Sequence, residues 1–258
     1  HGFYLYSTLI AVKFSRTKNI FLMPHGSLEL YQEKKNRFRK WIFCKFLSYF
    51  LRNRKIHFLV ATNAEFDSVR IKFPNAPISV VGLGIEKSWK KNIDLLEPIN
   101  ANSKFHLLCM SRIAPKKRID LCIRALKIAL IEDSNLHLHI AGTGDRKLRS
   151  KLIKLVDDLG IAQNVTFHGF LKGQDKSDLY KKSHLLLLTS ENENFAIAVA
   201  ESVCHELPVV ISDKVAISEL VRKNNCGVVF SELNAKSLTS AILEAINDFE
   251  VLLINCRK

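Results

Sequence analysis

The sequence predicts an α/β protein made of two Rossmann-like, doubly wound parallel-sheet domains, the first of them incomplete. Three observations carry this. Apolar runs recur without the alternation of a half-solvated strand, as in 184–188 and 208–211, and such runs mark strands buried on both faces of a parallel sheet. Helical patterns lie between them, which gives the strand–helix–strand order that a parallel sheet requires. The charge is also uneven: residues 1–98 hold 17 Lys and Arg against 7 Asp and Glu, whereas 99–258 hold 22 against 18. The expected division is therefore 1–98, a partial domain with its linker, and 99–258, a complete one.

The 258 residues, 47% of them hydrophobic, suffice for two modest cores. No apolar run reaches the length of a membrane span. The six cysteines are scattered without a C-x-x-C pair. They are expected to be reduced core residues in a cytoplasmic protein rather than a disulfide framework or a zinc site. The cationic surplus of the first part points to something anionic: a membrane surface, a nucleic acid or a phosphorylated acceptor.

Residues 1–18 read as a helix with its leading loop. A short strand follows at 19–23 and is closed by Pro24-His25-Gly26, which sets an imidazole at the C-terminal edge of a sheet. Alone, such a histidine is as readily structural or solvated. Residues 33–55 mix Lys34, Lys35, Arg37, Arg39 and Lys40 with Phe38, Trp41, Phe43 and Phe46. This predicts a basic amphipathic helix. Over 34–55 it could lie in an anionic membrane interface, or its aromatics could face the sheet of its own domain. No nucleic-acid motif accompanies it, and no nucleic-acid partner is expected. Strands at 56–61 and 78–81 flank a short helix at 65–71, and 87–103 reads as a polar linker.

The second part opens with the strand Phe105–Met110. A basic turn, 111–118, then leads into a helix running to Ile131. Arg112 and Lys117 offer a guanidinium fork and an ammonium, which suit a diphosphate and equally suit a solvated loop. After Leu136–Ala141 comes the turn Gly142-Thr143-Gly144-Asp145; a lone G-x-G is weak evidence for phosphate binding. A strand at 165–168 leads to Gly169-Phe170, and 178–182 is helical. The stretch 184–211 is one strand–loop–helix–strand unit, with its helix over 195–205. Its acidic loop falls at the C-terminal end of a strand, where open α/β sheets bind ligands. Glu193 sits at the mouth of that helix, and Glu201 is expected about two turns in, roughly 9 Å further. The helix N-terminus between them favours an anion. Two hydroxyl-binding carboxylates flanking a phosphate site suit a nucleotide-diphosphate-sugar. A bare pair of this spacing could also be a solvated loop acid and a surface helix residue. A helix at 217–223, a strand at 227–230 and a helix at 234–249 complete the pattern.

Glu193-x7-Glu201 followed by Leu207-Pro208-Val209-Val210-Ile211-Ser212 resembles the signature of retaining glycosyltransferase family 4, of the GT-B fold. Ala196 stands for the usual Gly, Ser202 for Ala and Glu206 for Gly. Ser111-Arg112-Ile113 through Lys117-Arg118-Ile119-Asp120 resembles the same family's diphosphate segment, with Arg118 in place of Gly. The resemblance implies a GT-B fold and sugar transfer from a nucleotide-diphosphate-sugar with retention of configuration. The acceptor implied is a glycan or a polyprenyl-linked lipid. The family needs no obligatory metal or other cofactor, and this sequence has no D-x-D motif suited to a metal. By the same resemblance Arg112 and Lys117 hold the donor diphosphate. Glu193 and His25 are the catalytic side chains at the sugar, and Asn194, Phe195 and Ala196 contribute backbone groups there. Glu201 takes the ribose, and Gly142, Gly144, Gly169 and Phe170 lie near the nucleotide. Gly82 to Glu86 resembles a family segment ending the first domain, with Leu83 replacing Asn and no ligand role assigned. The match implies a chain truncated at both ends, cytoplasmic, and peripheral at the inner membrane face. A phosphorylase using lysine-bound pyridoxal phosphate, a nucleotide-sugar epimerase, and an impaired chain that only binds nucleotide-sugar or membrane remain open.

Overall fold

The computed structural model describes residues 3–4, 6–17, 19–28, 37–50, 55–84 and 104–257. The chain divides into two compact units, 1–84 with 193–195, and 85–192 with 196–258. The linker expected at 87–103 and the boundary expected at 98 lie outside the described residues.

The first unit begins with α1 (Tyr6–Phe14), β1 (Asn19–Leu22) and α2 (Arg37–Phe50). It continues with β2 (Lys55–Val60), α3 (Asn63–Lys72) and β3 (Ile78–Val80). The strands form a parallel sheet in the order β1-β2-β3. Phe58 and Val60 of β2, Phe43 and Leu47 of α2, Val12 of α1 and Val69 of α3 share one core. The basic helix predicted over 33–55 is observed over 37–50, and Lys55 instead opens β2, where it pairs with Asn19. Residues 29–36 and 51–54 lie outside the described residues. The aromatics of α2 divide between two faces: Phe43 is buried, whereas Phe38 is 72% and Tyr49 65% exposed.

The second unit is a doubly wound domain. Its elements are β4 (Phe105–Met110), α4 (Ile119–Ala129), β5 (Leu136–Ala141), α5 (Arg146–Asp158) and β6 (Val165–Gly169). They continue as α6 (Gly173–Lys182), β7 (Leu185–Leu188), α7 (Ile197–Cys204), β8 (Val209–Ser212), α8 (Ser218–Asn224) and β9 (Gly227–Phe230). The last two are α9 (Ala235–Asn247) and α10 (Phe249–Cys256). Six parallel strands lie in the order β6-β5-β4-β7-β8-β9. Counted within the sheet this is 3-2-1-4-5-6, with the reversal between β4 and β7. Strand side chains alternate between faces. Phe105, Leu107, Leu136, Leu138 and Ile140 thus enter one core with Ile123 and Leu126 of α4 and Leu238 and Ile242 of α9. The other face carries the side chains of His106, His137 and His139. α7 packs on β7 and β8.

The helix expected to begin at 195 begins at Ile197. Ala196 lies in the left-handed region (φ 54°) and caps it, a conformation that interrupts helical geometry for an L-residue. Glu201 is therefore the fifth helical residue, just over one turn in. The C-terminal helix α10 was not anticipated: Asp248 separates it from α9, and it buries Phe249, Leu252 and Leu253 in the main core. All six cysteines are free thiols. Among the described residues no helix is long and apolar enough to cross a membrane, and no three His, Cys, Asp or Glu side chains are grouped to hold a metal.

A candidate donor site at the switch point of the second sheet

The reversal of strand order between β4 and β7 leaves a crevice at their C-terminal ends. The loop after β4 carries Arg112, Lys117 and Arg118; the loop after β7 carries Thr189 to Ala196. The two are stapled together. The Thr189 hydroxyl donates to the carbonyl oxygens of Lys117 (2.8 Å) and Arg118 (2.9 Å). The Glu191 amide donates to the Lys116 carbonyl at 2.9 Å. Arg118 spans the same gap through its side chain, with one guanidinium nitrogen 3.3 Å from Glu191 Oε1 and Nε 3.2 Å from Asp120. Its pKa is raised, chiefly by the hydrogen bond it donates to Asp120.

Arg112 is exposed and Lys117 half-buried, so one predicted diphosphate cation faces solvent fully and the other in part. The neighbouring turn explains two of the glycines. A Cβ on Gly142 (φ 136°) would stand 2.0 Å from the Ser111 carbonyl oxygen, and one on Gly144 would stand 2.1 Å from that of Ile113. The turn is in fact bonded to the β4 loop: the Ile113 amide donates to Thr143 at 2.9 Å and the Asp145 amide to Ile113 at 3.0 Å. Both glycines thus let the turn press against the Arg112 loop and set its path. Gly169 has φ 72°, and its carbonyl accepts from the Gly142 amide. Phe170 is 71% exposed.

On the other side of the crevice α7 starts with no side-chain cap at Ala196, which suits an anion acceptor at its first turn. Glu201, in the second turn, is only 8% exposed, so it is not the surface residue that spacing alone allowed. Lys176 Nζ donates to its Oε1 at 2.5 Å, and the Tyr180 hydroxyl to its Oε2 at 3.0 Å. Burial and the Glu201 charge push the Tyr180 phenol well above its ordinary pKa. His205 stacks on Tyr180 (ring centroids 4.7 Å apart) and meets the Glu201 carbonyl oxygen through Nδ1 at 2.8 Å. Each carboxylate oxygen has capacity for a second hydrogen bond, so the pair of donors orients Glu201 without saturating it. Lys176 and Tyr180 were missed in the sequence. They lie 25 and 21 residues from Glu201, and only the topology joins α6 to α7.

Glu193, Asn194 and Phe195 are half-buried and Ala196 is buried. In the first unit His25 is exposed, at the C-terminal edge of β1, with φ 52°. Every position where this chain replaces a glycine of the glycosyltransferase pattern keeps a left-handed backbone: Arg118 (φ 47°), Ala196 (54°) and Glu206 (56°).

A doubly wound sheet with a cationic loop and a helix start at its switch point is the architecture of a Rossmann-like domain of the GT-B type. The chain belongs to the family "Glycosyl transferases group 1", whose model matches residues 92–252. An uncharacterized glycosyltransferase of Methanocaldococcus jannaschii is 28% identical over 178 residues, 67% of this chain and 45% of that protein. The poly(ribitol-phosphate) alpha-N-acetylglucosaminyltransferase of Staphylococcus aureus is 27% identical over 140 residues, 54% of this chain and 28% of the relative. This chain therefore spans less than half the length of those curated relatives. Among solved structures, Anabaena HepE in complex with UDP-glucose superposes with a TM-score of 0.80 at 19% identity, over 96% of this chain and 68% of that one. WaaG, a glycosyltransferase involved in lipopolysaccharide biosynthesis, gives 0.69 at 18%, over 95% and 70%. These structural likenesses establish the GT-B fold.

Proposed function

We propose that this chain is a retaining hexosyltransferase of family 4. It would move a sugar from a nucleotide-diphosphate-sugar to a glycan or lipid-linked acceptor in polysaccharide or glycolipid synthesis, without an obligatory metal or other cofactor. The observation that carries this reading is the stapling of the β4 and β7 loops through Thr189. It joins the loop that carries Arg112 and Lys117 to the start of the loop that leads into α7. In this reading Arg112 and Lys117 neutralise the charge that gathers on the diphosphate as the glycosidic bond breaks. Thr189 fixes the backbone from which the Lys117 side chain extends. The uncapped start of α7, with the backbone of Asn194 to Ala196, receives the phosphate and sugar. Glu193 takes the sugar hydroxyls. Glu201, oriented by Lys176 and Tyr180, accepts from the ribose hydroxyls with its remaining lone pairs. Gly142, Gly144, Gly169 and Phe170 border the nucleotide, and His25 acts at the sugar.

One relative is a poly(ribitol-phosphate) alpha-N-acetylglucosaminyltransferase and HepE was solved with UDP-glucose, which supports a donor of this class. A thermal-shift panel of UDP-, GDP-, ADP- and CMP-sugars tests it. One base is expected to raise the melting temperature and the matching nucleoside to do so far less. No shift with any of them would remove the reading.

A second surface supports membrane association. On α2, Phe38, Trp41, Phe46 and Tyr49 are all more than half exposed, and Lys45 Nζ lies 4.1 Å from the centroid of the Trp41 ring. Exposed aromatics set among cations suit an anionic interface, which supports the reading of a peripheral place at the inner membrane face. Lys34 and Lys35, which belong to the same basic run, lie outside the described residues.

A further inference from the structure

The first unit buries one carboxylate completely. Glu65, in the first turn of α3, is 0% exposed, and an ionised side chain is rarely found so deep unless its oxygens are satisfied. Thr62 caps α3, its hydroxyl accepting from the Glu65 amide at 3.2 Å. The spacing Thr62-x-x-Glu65 is that of a capping box, in which the glutamate would reach back to the amide of its own cap. It does not. Glu65 Oε1 accepts from the Gly26 amide at 2.5 Å, and Oε2 from the Ala61 amide at 2.8 Å.

Those two amides belong to different strands' ends. Ala61 directly follows β2, and Gly26 lies four residues beyond β1. β1 and β2 are parallel neighbours, with Leu22 opposite Phe58. The carboxylate therefore ties together two adjacent loops at the C-terminal edge of the sheet, reaching 39 residues back along the chain to the first of them. What it holds at the first loop is unusual. His25 and Gly26 are both left-handed, at φ 52° and 74°, and for a histidine that conformation costs free energy unless the surroundings fix it. Gly26 is buried while His25 is exposed. The anchor is thus on the inner residue of the pair, and the imidazole is projected outward from it. Glu65 sits in the first turn of α3, where the helix dipole favours a negative charge.

We infer that Glu65 is a positioning residue for His25: its carboxylate fixes the His25–Gly26 turn and so the place and direction of the imidazole. The inference rests on the reading of His25 as a group acting at the donor sugar. Only a carboxylate, with acceptors on both arms, satisfies two amides at once. Glutamine has one acceptor and would set its NH2 against the second amide. Aspartate is one methylene too short to span both.

The test combines kinetics with spectroscopy on the full chain. Glu65→Gln is expected to lower kcat for sugar transfer at least tenfold, with the affinity for the nucleotide donor changed less than twofold. In the His25→Ala background it should add less than a further twofold loss, because both changes remove the same imidazole. In 1H–15N spectra the ring resonances of His25 should move in Glu65→Gln while those of His57 stay. In the unmodified protein the Gly26 and Ala61 amides should exchange slowly, a readout that does not depend on the variant folding. Unmoved His25 ring resonances in Glu65→Gln, independent losses in the double variant, or fast exchange of both amides would overturn the inference. Full activity of His25→Ala with displaced ring resonances in Glu65→Gln would overturn the catalytic reading of His25, while the turn is still held by Glu65.

Discussion

The hydroxyl of Thr189 donates to the main-chain carbonyl of Lys117 at 2.8 Å, joining the ends of two adjacent strands, β4 and β7, across the switch point. The two residues are 72 positions apart, and Thr189 is 1% exposed. Thr189→Val keeps the shape and removes the donor, leaving carbonyls in a dry place. It should lower stability by about 1–3 kcal/mol and weaken diphosphate binding as the Lys117 loop loosens. Chemical denaturation and calorimetry on the same variant check both. Unaltered diphosphate affinity at reduced stability would confine Thr189 to the fold.

The left-handed residues give a second prediction. Ala196→Gly should stabilise the chain by about 0.5–1 kcal/mol, the relief of a left-handed alanine less the extra freedom of an unfolded glycine. Arg118→Gly relieves the same strain but loses the contacts to Asp120 and Glu191, so no gain is expected there. Paired melting curves decide it; an equal gain in both variants would show that the Arg118 ion pairs contribute nothing.

How far the sequence was legible depended on where the information lay. Phe105–Met110, Leu136–Ala141 and Gly227–Phe230 carry the same bounds in the sequence reading and in the structure, because polar or turn-forming residues (Lys104, Ser111, Asn135, Gly142 and Ser231) mark their ends. The Arg112 and Glu201 segments could be placed on loops and a helix for the same reason. What escaped was anything written between distant segments. Lys176 and Tyr180 reach Glu201 only once α6 and α7 are packed. Glu65 looks like a helix cap until β1 and β2 are paired. The histidines of the second sheet escaped too, although His137 and His139, two apart in a strand, had to share a face.

That face carries a chain of imidazoles. His139 meets His168 through Nδ1 and His106 through Nε2, both at 2.9 Å. The His106 amide donates to His184 Nδ1, also at 2.9 Å, and His137 Nε2 meets Thr166 Oγ1 at 2.8 Å. The charged neighbours are Lys104 and Lys182, both repelling a further proton. Burial first, then the neighbouring histidines, and with them Lys182, lower His139 to about 3 and His106 to about 4, Lys104 adding to the effect on His106. A histidine held neutral in the fold binds a proton on unfolding wherever the pH lies between its folded value and the ordinary one of about 6.5. Stability is therefore full above about pH 6.5 and falls as pH drops toward 3–4. For the buried His139 the slope approaches about 1.4 kcal/mol per pH unit. Urea unfolding between pH 7 and 4 measures it, and His139→Gln should flatten the curve. An unchanged pH dependence in that variant would contradict the neutral chain.

Membrane association gives a salt-dependent outcome. Vesicles containing anionic lipid should bind the chain, and binding should fall as salt screens charges over about 8–10 Å. Replacing Lys34, Lys35, Arg37, Arg39 and Lys40 by Gln should remove it, and Trp41→Ala with Phe38→Ala should weaken it at every salt concentration. Co-sedimentation that neither set of changes alters would place the contact elsewhere on the chain.

The central claim is that the loop after β4 holds a donor diphosphate, and titration calorimetry tests it most directly. The measurement compares a nucleoside diphosphate with its free nucleoside on the unmodified chain, on Arg112→Ala and on Lys117→Ala. Each change should cost about 1.5–3 kcal/mol of diphosphate binding, the range for hydrogen bonds to charged groups, and leave the nucleoside nearly unaffected. Equal losses for nucleoside and diphosphate, or no loss for either, would contradict the account.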